Sequence, residues 1–165
     1  MKNHMLIINT GGTFNKYYDP IQGELYVDSG AEALESLASK WMCSFEIISI
    51  IGKDSLEMTG QDRLELLATI HQSRYHKILI VHGTDTMDLT AAYLADADLE
   101  KRIVLTGAMT PYSIDPVEAT ANLASAYGFL TGGSTEGVFV AMHGIINTYN
   151  KLYKDRTEGR FRLRD

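Results

Sequence analysis

Residues 77–94 of this 165-residue chain read KILIVHGTDTMDLTAAYL. The first part, Lys77–Val81, is a short run of Ile, Leu and Val without polar alternation, which is typical of a strand buried on both faces of a sheet. The last part, 87–94, has the pattern of a short helix, and the polar segment 82–86 separates the two. A buried strand, a polar turn and a helix in this order are typical of a parallel α/β unit.

The same rhythm continues on both sides of this stretch. Further apolar runs predict buried strands at 5–8, 45–51, 102–105 and 138–142. Helical patterns lie between them at 31–41, 59–73 and 116–130. The alternation predicts an α/β fold of three layers, with a doubly wound, mostly parallel sheet of five strands or slightly more and helices on both faces.

Two of the helices carry start signals. Thr59 and Asp62 form a possible capping pair, and Pro116 stands at a first helical position. Spacings of three and four predict the inward faces of two helices, and these are Leu34, Leu37, Ala38 and Trp41 in one, and Leu64, Leu67, Ala68 and His71 in the other. The pattern weakens after Met142, and the tail from Asn147 onward is expected to be a loop or a docked extension.

Composition limits the classes of function. Hydrophobic residues make up 45% and charged residues 22%, as in an ordinary soluble globular domain. The net charge is −6, and the densest basic segment, 151–164, also contains acidic residues, so we interpret it as solvated and expect no nucleic-acid partner. No apolar run approaches the ~20 residues of a membrane span. The single Cys43 and the lack of a signal-peptide pattern favour a cytoplasmic protein.

Polar residues follow the predicted strands where each strand ends. Ligands of open parallel sheets bind outside the carboxyl ends of the strands. The four segments found there are TGGTF at 10–14, DS at 54–55, HGTDT at 82–86 and TGAM at 106–109. Hydroxyls, a carboxylate and flexible glycines are therefore expected to converge on one edge of the sheet.

More than one kind of site is compatible with such an edge. The glycine turns lack both the G-x-G-x-x-G spacing and the Walker ending, which disfavours a nucleotide. His82 and Asp85 have no further ligand cluster with recognisable spacing, so neither a metal nor another cofactor is expected. A hydroxyl nucleophile needs a base, and His82, His143 or a lysine with a lowered pKa remain candidates.

The motifs Thr10–Gly11–Gly12–Thr13 and His82 to Met87 resemble the two signature motifs of the bacterial-type L-asparaginase family. The segments 54–59 and 104–109 are also similar to that family in order and spacing. The resemblance covers nearly the whole chain. It implies that residues 1–165 form a single domain like the family's N-terminal domain, without its C-terminal domain. It also implies hydrolysis of asparagine or a related small amide to the acid and ammonia.

The resemblance assigns roles to individual residues. Thr13 resembles the nucleophile, Thr84 the second active-site threonine, and Asp85 the carboxylate that holds the substrate's α-amino group. Ser55, with Asp54 beside it, resembles the part of the site that binds the α-carboxylate. Lys154 matches the family's active-site lysine, with Lys151 as the alternative. Gly12 and Gly83 belong to the turns whose N–H groups would stabilise the oxyanion, and Tyr26 best matches the loop tyrosine, with Tyr17 and Tyr18 as alternatives.

Structural roles compete with these assignments. Thr13 and Ser55 are suited to capping turns, and Asp85 to capping the helix at 87–94. Lys154 would by default be a solvated lysine, and His82 is better suited to packing the loop than to acting as a base. The chain would alternatively be a non-catalytic amino-acid-binding or regulatory domain, or a structural subunit that pairs with another chain. We also expect a homodimer or homotetramer, because apolar patches would otherwise be left uncovered.

Overall fold

The computed structural model of the chain describes residues 5–165. Its strands in chain order are β1 (Met5–Gly11), β2 (Lys16–Asp19), β3 (Glu24–Val27), β4 (Ile47–Lys53), β5 (Lys77–Val81), β6 (Arg102–Thr106), β7 (Gly137–Met142), β8 (Ile145–Thr148), β9 (Leu152–Asp155) and β10 (Arg160–Leu163). Its helices are α1 (Glu32–Lys40), α2 (Gly60–Gln72), α3 (Met87–Asp96) and α4 (Pro116–Thr131). None of these helices has the length and apolar character needed to cross a membrane.

The main sheet has six strands in the order β4-β1-β5-β6-β7-β8. The first five are parallel to their neighbours, and β8 runs antiparallel to β7. The chain passes from β1 to β4 on one side and then returns to β5 on the other side of β1. The strand order therefore reverses at β1, and a crevice at such a switch point is where open α/β sheets bind ligands.

Two apolar cores cover the two faces of the sheet. Helices α1 and α4 pack on one face, where the core includes Leu34, Leu37, Leu123 and Leu130 with Ile7, Leu79 and Val104. Helices α2 and α3 pack on the other face, where the core includes Leu66, Ile70, Met87 and Leu94 with Ile8, Ile80 and Leu105. Successive residues of a strand point to opposite faces, so the apolar runs of β1, β5 and β6 supply both cores at once. This confirms the three-layer α/β prediction.

The helix starts follow the predicted signals. Thr59 and Asp62 form a capping box at the start of α2. Asp115 caps α4 by accepting a hydrogen bond from the Val117 N–H, and Pro116 follows at the first helical position. Both arrangements satisfy backbone N–H groups that have no partner inside the helix.

The predicted inward face of α2 was wrong. The buried residues are Asp62, Leu66 and Ile70, whereas Leu64 is 47% exposed. The sequence of α2 carries two overlapping apolar stripes, and periodicity alone does not choose between them. Asp62 determines which stripe is buried, because its carboxylate turns inward and accepts hydrogen bonds from Lys53 and from the Thr59 N–H. Leu66 and Ile70, spaced at four residues from Asp62, then face the sheet.

One further expectation was wrong, and for the tail one of the two alternatives was confirmed. The strand predicted at 45–51 lies at Ile47–Lys53 and is partly exposed, because β4 is the edge strand of the main sheet. The tail is not a loop, since β8 joins the main sheet and β9 and β10 form an antiparallel hairpin. The hairpin is a docked extension, as the alternative expectation had it. Leu152 and Phe161 are buried in the core beside α3, so segment 151–164 is not simply solvated.

Candidate active site

Two glycine turns touch at the switch point of the sheet. A Cβ atom built on Gly12 would lie 2.5 Å from both the Cα and the N of Gly83, so only glycine lets these two backbones approach so closely. Gly12 also has a φ of 77°, which L side chains rarely adopt. Thr13 and Thr84 each follow one of these glycines, and the contact therefore brings the two threonine turns together.

Ser55 joins the same cluster from the end of β4. A Cβ on Gly83 would lie 2.7 Å from the Ser55 Oγ. The Thr86 N–H donates to Ser55 Oγ at 3.2 Å, and the Thr86 hydroxyl donates to the Ser55 carbonyl at 2.8 Å. Ser55 Oγ is thus used as an acceptor, which leaves its own O–H available as a donor. Ser55 does not cap the 3₁₀ turn at Ser55–Glu57, because Asp54 does.

Thr13 begins a 3₁₀ turn, Thr13–Asn15, and its hydroxyl makes no hydrogen bond to any residue within 5–165. The turn has Gly12 at its cap and no side-chain cap bond, so the capping role for Thr13 was wrong. A buried amide pair fixes the turn instead. Asn15 Nδ2 donates to Asn9 Oδ1 at 2.8 Å, and Asn9 Nδ2 returns a bond to Asn15 Oδ1 at 3.0 Å. Sequence reasoning missed this pair, which holds Thr13 in place without using its hydroxyl.

Lys154 reaches the second threonine turn from β9. Its Nζ donates to Thr84 Oγ1 at 2.9 Å and to Asp85 Oδ1 at 2.8 Å. The Lys154 side chain is only 14% exposed, so it is not a solvated surface lysine. Lys151, the alternative, is exposed. The hydrogen bond from Lys154 is the main cause of a lowered pKa at Asp85 and, with that from Arg156, outweighs partial burial.

Arg156 is a second cation on Asp85, and sequence reasoning missed it. Its Nη1 donates to Asp85 Oδ1 at 2.6 Å, and its Nη2 donates to the Asp85 carbonyl at 3.0 Å. Asp85 is therefore not the cap of α3, a position that Thr86 occupies without a side-chain bond. The signal in the sequence was the spacing of two between Lys154 and Arg156, which is the same-face spacing of an extended chain.

Asp54 is engaged by Lys16, whose Nζ lies 2.8 Å from Asp54 Oδ2. Partial burial acts to raise the pKa of Asp54, but the hydrogen bonds from Lys16 and the Leu56 N–H outweigh it and keep that pKa below its ordinary value. Lys16 is the first residue of β2, so this ion pair links the β2–β3 hairpin to the end of β4. In this structure Asp54 therefore holds the β2–β3 hairpin at the edge of the candidate site.

The three loop tyrosines lie on the β2–β3 hairpin. Tyr17 and Tyr26 are cross-strand partners with ring centroids 6.2 Å apart, and Tyr26 and Tyr18 are 51% and 57% exposed. Burial and nearby carboxylates raise the pKa of Tyr17. Within residues 5–165, neither Tyr17 nor Tyr26 hydrogen-bonds to the Thr13 turn or to Lys154. The hairpin directly follows the Thr13 turn, but no hydrogen bond within residues 5–165 joins Tyr26 to that turn or to Lys154.

The two histidines at strand ends both have structural partners. His82 is fully buried, and burial lowers its pKa to about 4. The Gly83 carbonyl lies 2.7 Å from His82 Nδ1 and can only accept, so Nδ1 carries the proton. Nε2 therefore accepts a hydrogen bond from the Thr90 hydroxyl at 2.7 Å. This confirms that His82 packs the loop.

His143 Nε2 lies 2.6 Å from Glu118, and His143 Nδ1 accepts from the Phe161 N–H at 3.1 Å. Glu118 also accepts from the Met109 and Thr110 N–H groups. This cluster ties the loop after β6 to β10 of the hairpin.

A cavity of about 190 Å³ lies beside the second threonine turn. Its lining includes Thr84, Asp85, Lys154, Arg156, Tyr153 and Arg164. This volume is below the ~300–1,000 Å³ of pockets for drug-sized molecules and suits a small, polar ligand. Among residues 5–165, no three His, Cys, Asp or Glu side chains are grouped so that they would hold a metal ion.

Comparison with known proteins adds independent information. Residues 4–162 match the family model described as Asparaginase, N-terminal. The chain is 31% identical over 153 residues to the probable periplasmic L-asparaginase of Haemophilus influenzae, covering 85% of this chain and 43% of that protein. It is 32% identical over 148 residues to a component of the glutamyl-tRNA(Gln) amidotransferase of Pyrococcus furiosus, covering 84% of this chain and 33% of that protein.

A solved structure agrees with these sequence matches. The thermostable L-asparaginase from Thermococcus kodakarensis superposes with a TM-score of 0.81 at 26% identity, covering 96% of this chain and 50% of that one. The present chain thus spans about a third to a half of the length of these relatives.

Proposed function

Since this chain belongs to the asparaginase family, we propose that it hydrolyses the amide of asparagine or a related small amide to the acid and ammonia, with Thr13 as the nucleophile. The observation that carries the proposal is the position of Lys154 Nζ, 2.9 Å from Thr84 Oγ1 and 2.8 Å from Asp85 Oδ1. Thr84 and Asp85 belong to the turn whose glycine, Gly83, touches the glycine preceding Thr13. A free hydroxyl and a chain of proton donors and acceptors thereby lie at one edge of the sheet.

The proposed reaction has two steps. In the first, Thr13 Oγ bonds to the amide carbon, its proton is transferred to the amide nitrogen, and the C–N bond breaks to release ammonia. In the second, water attacks the resulting ester, which yields the carboxylic acid and restores the Thr13 hydroxyl. Thr84 Oγ1 accepts from Lys154, so the Thr84 O–H is free to donate, and the pair supplies a path for the proton transfers.

The oxyanion that forms in each step needs N–H donors. Gly12 is not one of them, because its N–H already donates to the Lys53 carbonyl at 2.9 Å. We assign to Gly12 and Gly83 the role of letting the two turns approach, rather than direct contact with the oxyanion. This narrows the substrate-binding role that the family resemblance implies for these glycines.

Substrate binding follows from charge and hydrogen bonding. The Ser55 O–H is free to donate to an α-carboxylate, because its oxygen accepts from the Thr86 N–H. Both protein cations on Asp85 use Oδ1. We therefore place the α-ammonium of an amino-acid amide at Asp85 Oδ2.

The test is ammonia release from asparagine by the purified chain and its variants. We expect Thr13→Ala to abolish turnover, and Thr84→Val and Lys154→Met to lower kcat by roughly 10² to 10⁴, the range for loss of a proton-transfer group. Lys151→Met is the matched control, because Lys151 is exposed on the same segment, and it should retain parental kcat. Full activity in Thr13→Ala would refute the assignment of the nucleophile.

Binding measurements separate the enzyme from its alternative. Asp85→Ala should weaken aspartate binding strongly, because the α-ammonium would lose its partner in a partly desolvated site. If the parent binds aspartate through Asp85 but releases ammonia from no amide, the domain is an amino-acid-binding module and the hydrolase proposal is wrong.

We also propose that the chain forms a homodimer or homotetramer. Several large apolar side chains near the carboxyl edge are exposed, among them Leu56 at 71% and Leu89 at 57%. Association would remove such surface from water. A strictly monomeric mass in analytical ultracentrifugation at micromolar concentration would contradict this.

A further inference from the structure

The carboxylate of Asp85 carries two protein cations on one oxygen. Lys154 Nζ and Arg156 Nη1 both donate to Oδ1, at 2.8 Å and 2.6 Å. The two cations differ in their surroundings, because the Lys154 side chain is 14% exposed and the Arg156 side chain is 62% exposed. Lys154 is thus a fixed part of the site, whereas Arg156 reaches Asp85 from solvent.

Arg156 is nevertheless held in a defined place. It follows the last residue of β9, and its guanidinium contacts both the side chain and the backbone carbonyl of Asp85. The turn behind it is also fixed, since the Asp155 carboxylate accepts from the N–H groups of Thr157 and Glu158. A guanidinium anchored at two points occupies its position more reliably than a free surface arginine.

The cavity beside Asp85 is lined by more cations than carboxylates. The charged residues that line it are the carboxylates Asp85 and Asp88 and the cations Lys154, Arg156 and Arg164, which leaves a net charge of +1. An entering α-ammonium adds a positive charge beside two cations that already neutralise Asp85. A ligand with a carboxylate and no ammonium does not meet this repulsion.

We propose that Arg156 is a specificity-determining residue that competes with the substrate's α-ammonium for Asp85. It thereby tilts the site toward small amides that carry a carboxylate but no adjacent ammonium. This inference rests on the proposed function, because it takes Asp85 as the partner of the α-substituent. Exposed ion pairs are weak, so Arg156 shifts the preference by a modest factor and does not block the site.

The experiment compares two pairs of ligands that differ only in the α-ammonium. Calorimetry measures the dissociation constants of aspartate and succinate, and kinetics measures kcat and KM for asparagine and succinamate. Three variants are used, namely Arg156→Gln, the charge-conserving Arg156→Lys, and Arg160→Gln as control. Arg160 lies on the same hairpin, is 54% exposed and pairs with Glu158, so its variant removes the same charge away from Asp85.

In Arg156→Gln we expect the affinity for aspartate relative to succinate to rise roughly two- to tenfold. In the kinetics, the KM for asparagine relative to that for succinamate should fall, whereas kcat should stay unchanged. Arg156→Lys should keep the ratio close to that of the parent, and Arg160→Gln should leave it unchanged. If Arg156 had only a structural role, its replacement would lower the affinities for aspartate and succinate together, and their ratio would stay constant.

The outcomes separate the two proposals. If both ligands bind and Arg156→Gln leaves the ratio unaltered, or if Arg160→Gln alters it equally, this inference is wrong while the proposed function stands. If neither ligand binds and no amide is turned over, the proposed function fails and this inference fails with it.

Discussion

Replacing Gly83 by alanine tests the contact on which the candidate site depends. The new Cβ would lie 2.7 Å from the Cβ and Oγ of Ser55 and 2.9 Å from the Ser55 backbone N. Gly83 does not have a positive φ, so alanine fits its backbone conformation and the cost is steric. Because one of the clashing atoms belongs to the backbone, rotation of a side chain cannot relieve the clash. Overpacking of this kind typically costs about 1–3 kcal/mol.

Thermal and urea unfolding measure this cost. For a chain of this size each kcal/mol lowers Tm by about 2–4 °C, so we expect a decrease of roughly 2–12 °C. The same displacement would move Ser55, and the affinity for aspartate should fall with little change for ligands that lack a carboxylate. The calorimetric titration used for Arg156 measures this affinity.

Gly128→Ala is the matched control. Gly128 lies within α4 and a Cβ there meets no atom within 4 Å. Alanine is favoured over glycine in a helix interior by about 0.8–1.0 kcal/mol, so this variant should be more stable than the parent. If Gly83→Ala unfolds at the parental temperature and binds aspartate as the parent does, the turns after β4 and β5 do not touch as described.

Three further predictions concern titration and anchoring. His82, with a folded pKa lowered to about 4 from 6.5 by burial, should stay neutral from pH 5 to 8; its contribution to stability is complete above 6.5 and is lost as pH falls toward 4, and an NMR ring titration near 6.5 would contradict this. The pKa of Asp85 is lowered by the hydrogen bond from Lys154, so its ion pair contributes stability above the unfolded pKa of about 3.9, and this contribution is lost as pH falls further. Asp85→Asn should therefore flatten the acid limb of the plot of urea midpoint against pH, and an unchanged limb would argue against the ion pair. His143→Ala removes the acceptor of the Phe161 N–H, and hydrogen exchange at that amide should accelerate by roughly 5- to 160-fold, as loss of about 1–3 kcal/mol of local stability implies; parental exchange would exclude this anchor.

The features predicted correctly from the sequence are local ones. Runs such as Lys77–Val81 predict buried strands because a strand covered on both faces needs apolar residues at every position. The capping box of α2 and the Pro116 start of α4 involve groups within one turn of helix. The convergence of polar turns on one edge follows from the common direction of parallel strands. These features depend on residues that are neighbours in the chain, so a linear pattern contains them.

The features that required the tertiary structure depend on contacts between different elements. Two apolar stripes on α2 were compatible with the sequence, and the choice between them came from the pairing of Asp62 with Lys53 at the end of β4. The edge position of β4 is likewise set by the strand order, and a local run of apolar residues does not reveal that order.

The site divides in the same way. The motifs that hold Thr13, Thr84 and Asp85 can be found in the linear chain, because glycine turns and strand ends are local signals. The sharing of Asp85 by Arg156 and Lys154 depends on the fold, since Arg156 is 71 residues from Asp85 and meets it only when the hairpin docks on the sheet. A charged side chain finds its partner through the fold as a whole, and no periodicity in the chain encodes that distance.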